Sequence, residues 1–282
     1  MKRVVDNFVK SSFKLFGKTI ADDKKQAMIN LTKDFYIKIQ KKTRDPKIKY
    51  QKEATTAEKK KKTNETTGMS CEKAICLVNS DENESKICIT RCDDELVKKI
   101  MEPFSQFQKD KSISTLTYTG HSNNKTDFVD VNGRTYSVKS NIRKNGKVCP
   151  QVIGQPTKRK FIENVYNPIN NVLDQNVSDT EIKQNFFKHT DQYLNLYFQY
   201  LFCCDYIIHI CITEKETEFK LIDKMKFIFE KEKITFSNTC ENWKEGITVK
   251  YDNVSIGEFQ LHRNRDSIKF RFILDNLLTF FK

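Results

Sequence analysis

Asp127 and Lys139 stand on either side of Asn132-Gly133, inside the stretch GHSNNKTDFVDVNGRTYSVKSN that covers residues 120–141. Phe128, Val129 and Val131 lead into Asn-Gly, the strongest short hairpin signal, and Arg134–Lys139 reads as the returning strand. A hairpin that holds a carboxylate beside a lysine suits metal-dependent phosphodiester cleavage. The carboxylate binds Mg²⁺, the cation neutralises charge on the scissile phosphate and acidifies bound water, and the lysine orients or deprotonates that water. Register decides whether the two groups meet. With a two-residue turn, Val131 pairs with Arg134, Phe128 with Ser137 and Asp127 with Val138. Asp127 then points away from the face of Lys139, whereas Asp130 shares it. A turn one residue longer, or a bulge, is needed to bring Asp127 across. Asp127 is the preferred acid and Asp130 the reserve.

The elements around this hairpin alternate between helical and extended patterns. Residues 120–156 contain four of the eight glycines and two of the five prolines, the irregular backbone that shapes sites and also builds loops. Upstream, Met28, Leu31, Phe35 and Ile39 predict a helix over 22–42, capped by Asp22 or Asp23. Residues 43–70 are Lys/Thr/Glu-rich and read as a flexible surface excursion carrying Lys59-Lys60-Lys61-Lys62. A short helix is expected around Asp94–Met101, ending near Pro103. Downstream, a helix is expected over 157–174 with an interruption near Pro168, and another over 181–202. In the latter, Phe187, Leu194, Tyr197, Phe198 and Leu201 form the core face. Tyr206–Ile212 is a continuous apolar run of the kind found in buried central strands, with His209 as a structural histidine. Short β-like pieces follow at 217–222, 226–230, 233–237, 247–251, 254–261 and 267–274. The order predicts an α/β or α+β fold.

Composition narrows the partner. The chain has 282 residues, with 50 Lys+Arg against 37 Asp+Glu and a formal net charge of +13. That surplus favours a polyanion, and no basic amphipathic helix with an apolar face points to a membrane surface instead. A Lys-rich composition from an AT-rich genome is the bland alternative. With no apolar run near the ~18 residues of a membrane span and no apolar stretch behind Lys2 and Arg3, the expectation is an intracellular, cytoplasmic protein with no membrane contact. No P-loop, GxSxG or HExxH is present, which weighs against a nucleotide cofactor, serine hydrolysis and zincin chemistry. Nine cysteines form no obvious disulfide framework. Cys71, Cys76, Cys88 and Cys92 lack a CxxC knuckle and read as ordinary thiols, with structural zinc the alternative.

The Lys125-Thr126-Asp127 run, the Asn132-Gly133 turn and Ser137-Val138-Lys139 resemble the PD-(D/E)xK nuclease superfamily, specifically type II restriction endonucleases. The continuation KVCPQVIGQPTKRKF, residues 147–161, is similar to the segment after the catalytic lysine in some of these enzymes. The resemblance covers about 45 of the 282 residues. It implies a restriction-endonuclease-like core, a mixed central β-sheet flanked by helices, with an extra β-rich C-terminal part. On that reading 1–282 is a single nuclease domain with a Lys-rich insertion near 43–70, a core over 104–215 and a DNA-contacting part over 216–282.

Carried over, Asp127 is the metal-binding acid, Lys139 the catalytic lysine and the Val138 carbonyl a further ligand of Mg²⁺. Ser137 stands where the family usually has Asp or Glu, so the second carboxylate comes from elsewhere, with Asp130 and Glu163 as candidates. The activity implied is Mg²⁺-dependent, sequence-specific cleavage of double-stranded DNA to 5′-phosphate and 3′-hydroxyl ends, by a homodimer on palindromic sites. Lys125, Ser140, Asn141, Gln151 and Gln155 are candidates for phosphate or base contacts, and Arg143 and Lys144 for backbone phosphate. Arg263, Asn264 and Arg265, in the turn expected between 254–261 and 267–274, suit a base-reading element or equally a hairpin tip charged for solubility. The alternative is a non-catalytic basic nucleic-acid-binding protein.

Overall fold

Two five-stranded sheets organise the chain. The computed structural model describes residues 64–83, 87, 91–120, 124–173, 175–262 and 266–281. The expected helix over 22–42, the lysine run 59–62, Cys88, His121 and the tip residues Arg263, Asn264 and Arg265 lie outside the described residues.

Helix α1 (Asn64–Val78) and helix α2 (Asp94–Asp110) precede the first sheet. Strands β1 (Leu116–Tyr118), β2 (Phe128–Asp130) and β3 (Thr135–Asn141) follow as an antiparallel meander. β4 (Lys147–Val148) leaves for the second sheet. A helical crossover comes next: α3 (Lys158–Phe161) passes through a π-helical turn (Ile162–Tyr166) into α4 (Asn167–Asn170). Helices α5 (Asp179–Lys188) and α6 (Thr190–Leu201) then lead to β5 (Tyr206–Ile212), which runs parallel to β3. β6 (Thr217–Asp223) returns antiparallel, giving the order β1-β2-β3-β5-β6. The second sheet is antiparallel, ordered β4-β10-β9-β8-β7, with β7 (Ile234–Phe236), β8 (Gly246–Tyr251), β9 (Val254–Leu261) and β10 (Ile268–Ile273). The architecture is mixed α/β.

Each face of the first sheet closes a core. Tyr136, Val138, Ile208, Ile210 and Ile212 share one face and pack with Ile75, Ile100 and Phe104 of α1 and α2. The opposite face contributes Ile207 to a larger core made by α3, α5, α6 and the second sheet, where Phe161, Phe186, Tyr193, Phe259 and Phe270 are buried. β5 is therefore covered on both sides, which is why its sequence is an unbroken apolar run.

Several local expectations shift for identifiable reasons. Residues 64–70 are the first half of α1 rather than part of a loop, and Ala74–Val78 completes the helix. Pro103 does not end α2. It sits on the exposed face, while Phe104 and Phe107 anchor the continuing turn, both within ring contact of Phe219. Interior proline costs about 3 kcal/mol, which that aromatic burial offsets. Pro168 likewise leaves its helix continuous, because the wide π turn just before it absorbs the missing donor. The 181–202 segment breaks at His189, where the Thr190 hydroxyl bonds back to the Phe186 carbonyl, and α5 opens on a Ser178/Glu181 capping box. Residues 226–230 form no strand, although Phe229 is buried and Phe227 packs against it. β6 pairs with β5, so the extended segment starting at 217 opens in the first sheet and not with the C-terminal strands. Cys71 and Cys76 are buried in the core as free thiols, and no metal-binding group of three or more His, Cys, Asp or Glu occurs among the described residues.

Candidate active site

The β2–β3 turn is one residue longer than Asn-Gly alone predicts. The Gly133 amide donates to the Asp130 carbonyl at 2.9 Å, and the Asp130 amide donates to the Arg134 carbonyl at 2.9 Å. Gly133 adopts φ +77°, so the loop is a turn followed by a left-handed glycine that forms a bulge. The register becomes Phe128↔Tyr136 and Val129↔Thr135, and the two-residue pairing is corrected by one position. By pleat alternation, Asp127 now shares a face with Ser137 and Lys139, whereas Asp130 faces the other side with Tyr136. Asp130 itself closes the turn. Its carboxylate accepts from the amides of Asn132 and Arg134, from Arg134 Nε at 2.7 Å and from the Tyr136 hydroxyl at 3.2 Å. Burial opposes ionisation there, but these donors hold its carboxyl below the usual carboxylate range.

On the first face a buried polar cluster forms. Asp127 Oδ2 accepts from Ser137 Oγ at 2.9 Å and from the Val138 amide at 2.7 Å. Lys139 Nζ donates to Ser137 Oγ at 3.0 Å. Asp127, Ser137 and Lys139 are all buried, so the serine links acid and ammonium in a region of low dielectric. β2 begins at Phe128, so Val138 extends past the ladder on that side, and its amide finds the Asp127 carboxylate instead of a strand. Its carbonyl faces the same side by strand geometry.

Gln151 completes the cluster from the loop after β4. Its Nε2 lies 3.0 Å from Asp127 Oδ1, 3.0 Å from Asp127 Oδ2 and 3.0 Å from Ser137 Oγ. Three oxygens thus converge on one electropositive atom. The next residue, Val152, holds φ +60°, a left-handed conformation that costs a β-branched residue on the order of 1–3 kcal/mol. The site is therefore furnished by a strained loop as well as by the hairpin.

Glu72, on α1, lies within the electrostatic influence of Asp127 and Lys139. Its carboxylate accepts from the Tyr118 hydroxyl at 3.1 Å. Burial raises its carboxyl to about 8, with the Asp127 charge adding to the rise, while the Tyr118 hydroxyl and Lys139 oppose it. Nothing near Glu72 in the sequence marks it as a site residue. It is one acid on a helix that also carries the buried Cys71, Ala74 and Ile75.

The remaining expected residues disperse. Glu163 lies on the π turn, pairs with Arg159 at 2.8 Å and lines a separate cleft with Asn167 and Leu173, so no contact joins it to Asp127. Ser140 faces α1, where it hydrogen-bonds the Cys71 thiol. Lys144 is engaged by Glu216 at 3.2 Å and Glu218 at 2.9 Å. Lys125 lies over the Tyr200 ring, and Gln155 is exposed. Asn141 continues the face of Lys139 and is held by His209 Nε2 at 2.8 Å. Arg143 lies beside it, lining a small cleft.

His209 gives a test of this packing. Burial lowers its imidazole to about 4, with Asp275 and Glu218 pulling upward and Lys220 downward. The unfolded chain takes up this proton near the ordinary value of about 6.5, so stability falls as pH drops from there towards 4, by up to about 3 kcal/mol. Denaturant titrations at neutral and mildly acidic pH are expected to show that loss, and His209→Leu to flatten it. An equal pH slope in the variant would remove His209 as its cause.

A buried acid–lysine pair, bridged by a hydroxyl at the start of a β-hairpin and within the electrostatic field of a second carboxyl group, is an arrangement suited to a divalent cation and a phosphodiester. Over 166 residues the chain is 35% identical to the type II restriction enzyme CviAII of Paramecium bursaria Chlorella virus 1, a match covering 59% of this chain and 47% of that enzyme. The chain thus spans about half the length of the curated relative it matches. No family model matches the chain, and no solved structure matches it significantly. Among the described residues no helix is long and apolar enough to cross a membrane.

Proposed function

We propose that this protein is a Mg²⁺-dependent, sequence-specific double-stranded DNA endonuclease of the PD-(D/E)xK type. The observation that carries the reading is the bulged turn that puts Asp127, Ser137 and Lys139 on one buried face. Similarity to a restriction enzyme supports it independently.

The donor set fits a hard cation. Asp127 and Glu72 supply carboxylates, and the Val138 carbonyl a neutral oxygen. The convergence of Asp127 and Ser137 oxygens on the Gln151 amide marks a point that favours positive charge. With no group of three acids among the described residues, waters and substrate phosphate would complete the shell of a bound cation, the usual habit of Mg²⁺. When bound, Mg²⁺ neutralises charge on the scissile phosphate and lowers the pKa of a coordinated water. Asp127 holds that position, and Ser137 fixes both Asp127 and Lys139. Lys139 orients the attacking water and stabilises charge opposite the leaving oxygen, giving 5′-phosphate and 3′-hydroxyl ends. Glu72 replaces Glu163 and Asp130 as the second acid. We place the cleavage machinery on the first sheet and DNA contacts on the second sheet and the 263–265 tip. We also assign a homodimer acting on palindromic sites inside the cell.

Plasmids of varied sequence incubated with Mg²⁺ or with EDTA test the reading. Discrete bands that need the metal are expected. Intact plasmid across many sequences, with salt-sensitive binding alone, would establish the non-catalytic binder instead.

A further inference from the structure

The face that carries Lys139 continues along β3 to Asn141, two residues or about 7 Å further on. There the β3–β4 turn and β10 enclose a cleft of about 130 Å³ lined by Asn141, Ile142, Arg143, Gly146, Lys147 and Arg271. Three of these six residues are cationic, and one carboxylate serves two of them. Glu258 accepts from Lys147 at 2.7 Å and from Arg271 at 2.8 Å. Arg271 Nε is buried without a hydrogen-bond partner, and Arg143 has no ion-pair partner among the described residues. The cleft therefore holds a surplus of two positive charges and an unspent guanidinium donor. Such a site favours a compact anion with several acceptor oxygens, which describes phosphate better than a carboxylate.

Its position relative to the acid–lysine pair is fixed by more than the strand. The Cys149 thiol, just after β4, lies in the field of Lys269, Arg271 and Lys139 together. The cations of β10 and the lysine of β3 thus border the same region, across the junction of the two sheets. Gly146 permits this closeness, because a Cβ there would come within 2.3 Å of the Asn141 side chain. Asn141 in turn is fixed by His209 and by its own bond to the Lys147 carbonyl at 3.2 Å, so one wall of the cleft is pre-organised.

We propose that the Arg143–Lys147–Arg271 cleft is a phosphate-binding site that seats a DNA backbone phosphate beside the one cut at Lys139. The inference rests on the nuclease reading and adds a direction to it: the strand runs from the acid–lysine pair onto the outer face of β10. Glu258 holds Lys147 and Arg271 in place when no phosphate is present.

Arg143→Ala and Lys147→Gln test it, with binding to duplex DNA measured in EDTA across a salt series. Arg143 is exposed, so its removal leaves the fold intact, which melting curves verify. Each variant is expected to weaken binding about tenfold on every sequence and to reduce the salt slope by about 0.9. A DNA carrying one neutral methylphosphonate next to the cut should weaken wild type similarly and leave Arg143→Ala no further loss. Variants that bind and cut as wild type overturn the cleft while the nuclease reading stands. If wild type neither binds nor cuts DNA, the nuclease reading fails, and titration with inorganic phosphate decides the cleft alone. Binding lost in both variants then assigns it to free phosphate, and no binding overturns it.

Discussion

Asp127→Asn is expected to bind duplex DNA and fail to cut it, with single-turnover cleavage slower by about 10³- to 10⁴-fold. The substitution keeps shape and removes charge. Wild-type Asp127 accepts from Ser137, Val138 and Gln151, so both carboxylate oxygens are used. An asparagine offers one acceptor oxygen and turns an NH₂ donor towards the Val138 and Gln151 N–H groups, which cannot accept from it. The cation loses its principal anionic ligand, and raising Mg²⁺ should recover little of the rate. Glu72→Gln should be milder, shifting the Mg²⁺ requirement upward by about tenfold, because Glu72 is held by Tyr118 and only shares the field of Asp127. Wild-type rates in Asp127→Asn at ordinary Mg²⁺ would remove Asp127 from the chemistry.

Lys139→Ala separates function from stability. A lysine buried against a serine hydroxyl gives up its hydration in the folded state, and the nearby Asp127 and Glu72 carboxylates offset only part of that loss. Such a group persists where chemistry requires it. The variant is expected to lose cleavage by about 10²- to 10⁴-fold while its melting temperature stays level or rises. Thermal melts and cleavage assays on the same preparation measure both. A sharp drop in melting temperature with cleavage retained would make Lys139 a structural residue, and the acid–lysine pair would lose its role.

Local sequence carries far in the aromatic helices and in the buried strand. Leu194, Tyr197, Phe198 and Leu201 repeat with helical spacing, and all four are buried. Tyr206–Ile212 is a strand with the bounds its apolar run indicates. Pro103 and Pro168 have the local signature of a helix stop, yet helix continues through both, because packing of Phe104 and Phe107 and a π turn compensate for the missing donor.

What Asn132-Gly133 determined alone was that a hairpin exists and that Asp127, Ser137 and Lys139 occur near its open end. Whether they meet depended on one residue of loop, and the hydrogen bonds of Asp130 to Asn132 and Arg134 decided it by stabilising the longer turn. Glu72 and Gln151 arrive from a helix before the sheet and a loop after it. Their approach is set by packing of α1 on β3 and by β4 joining a different sheet, contacts that local propensity does not encode. The identities of the chemical groups were thus written in the chain. Their convergence belongs to the tertiary structure, because side chains distant in sequence are brought together by burial of the apolar surface on either side of one sheet.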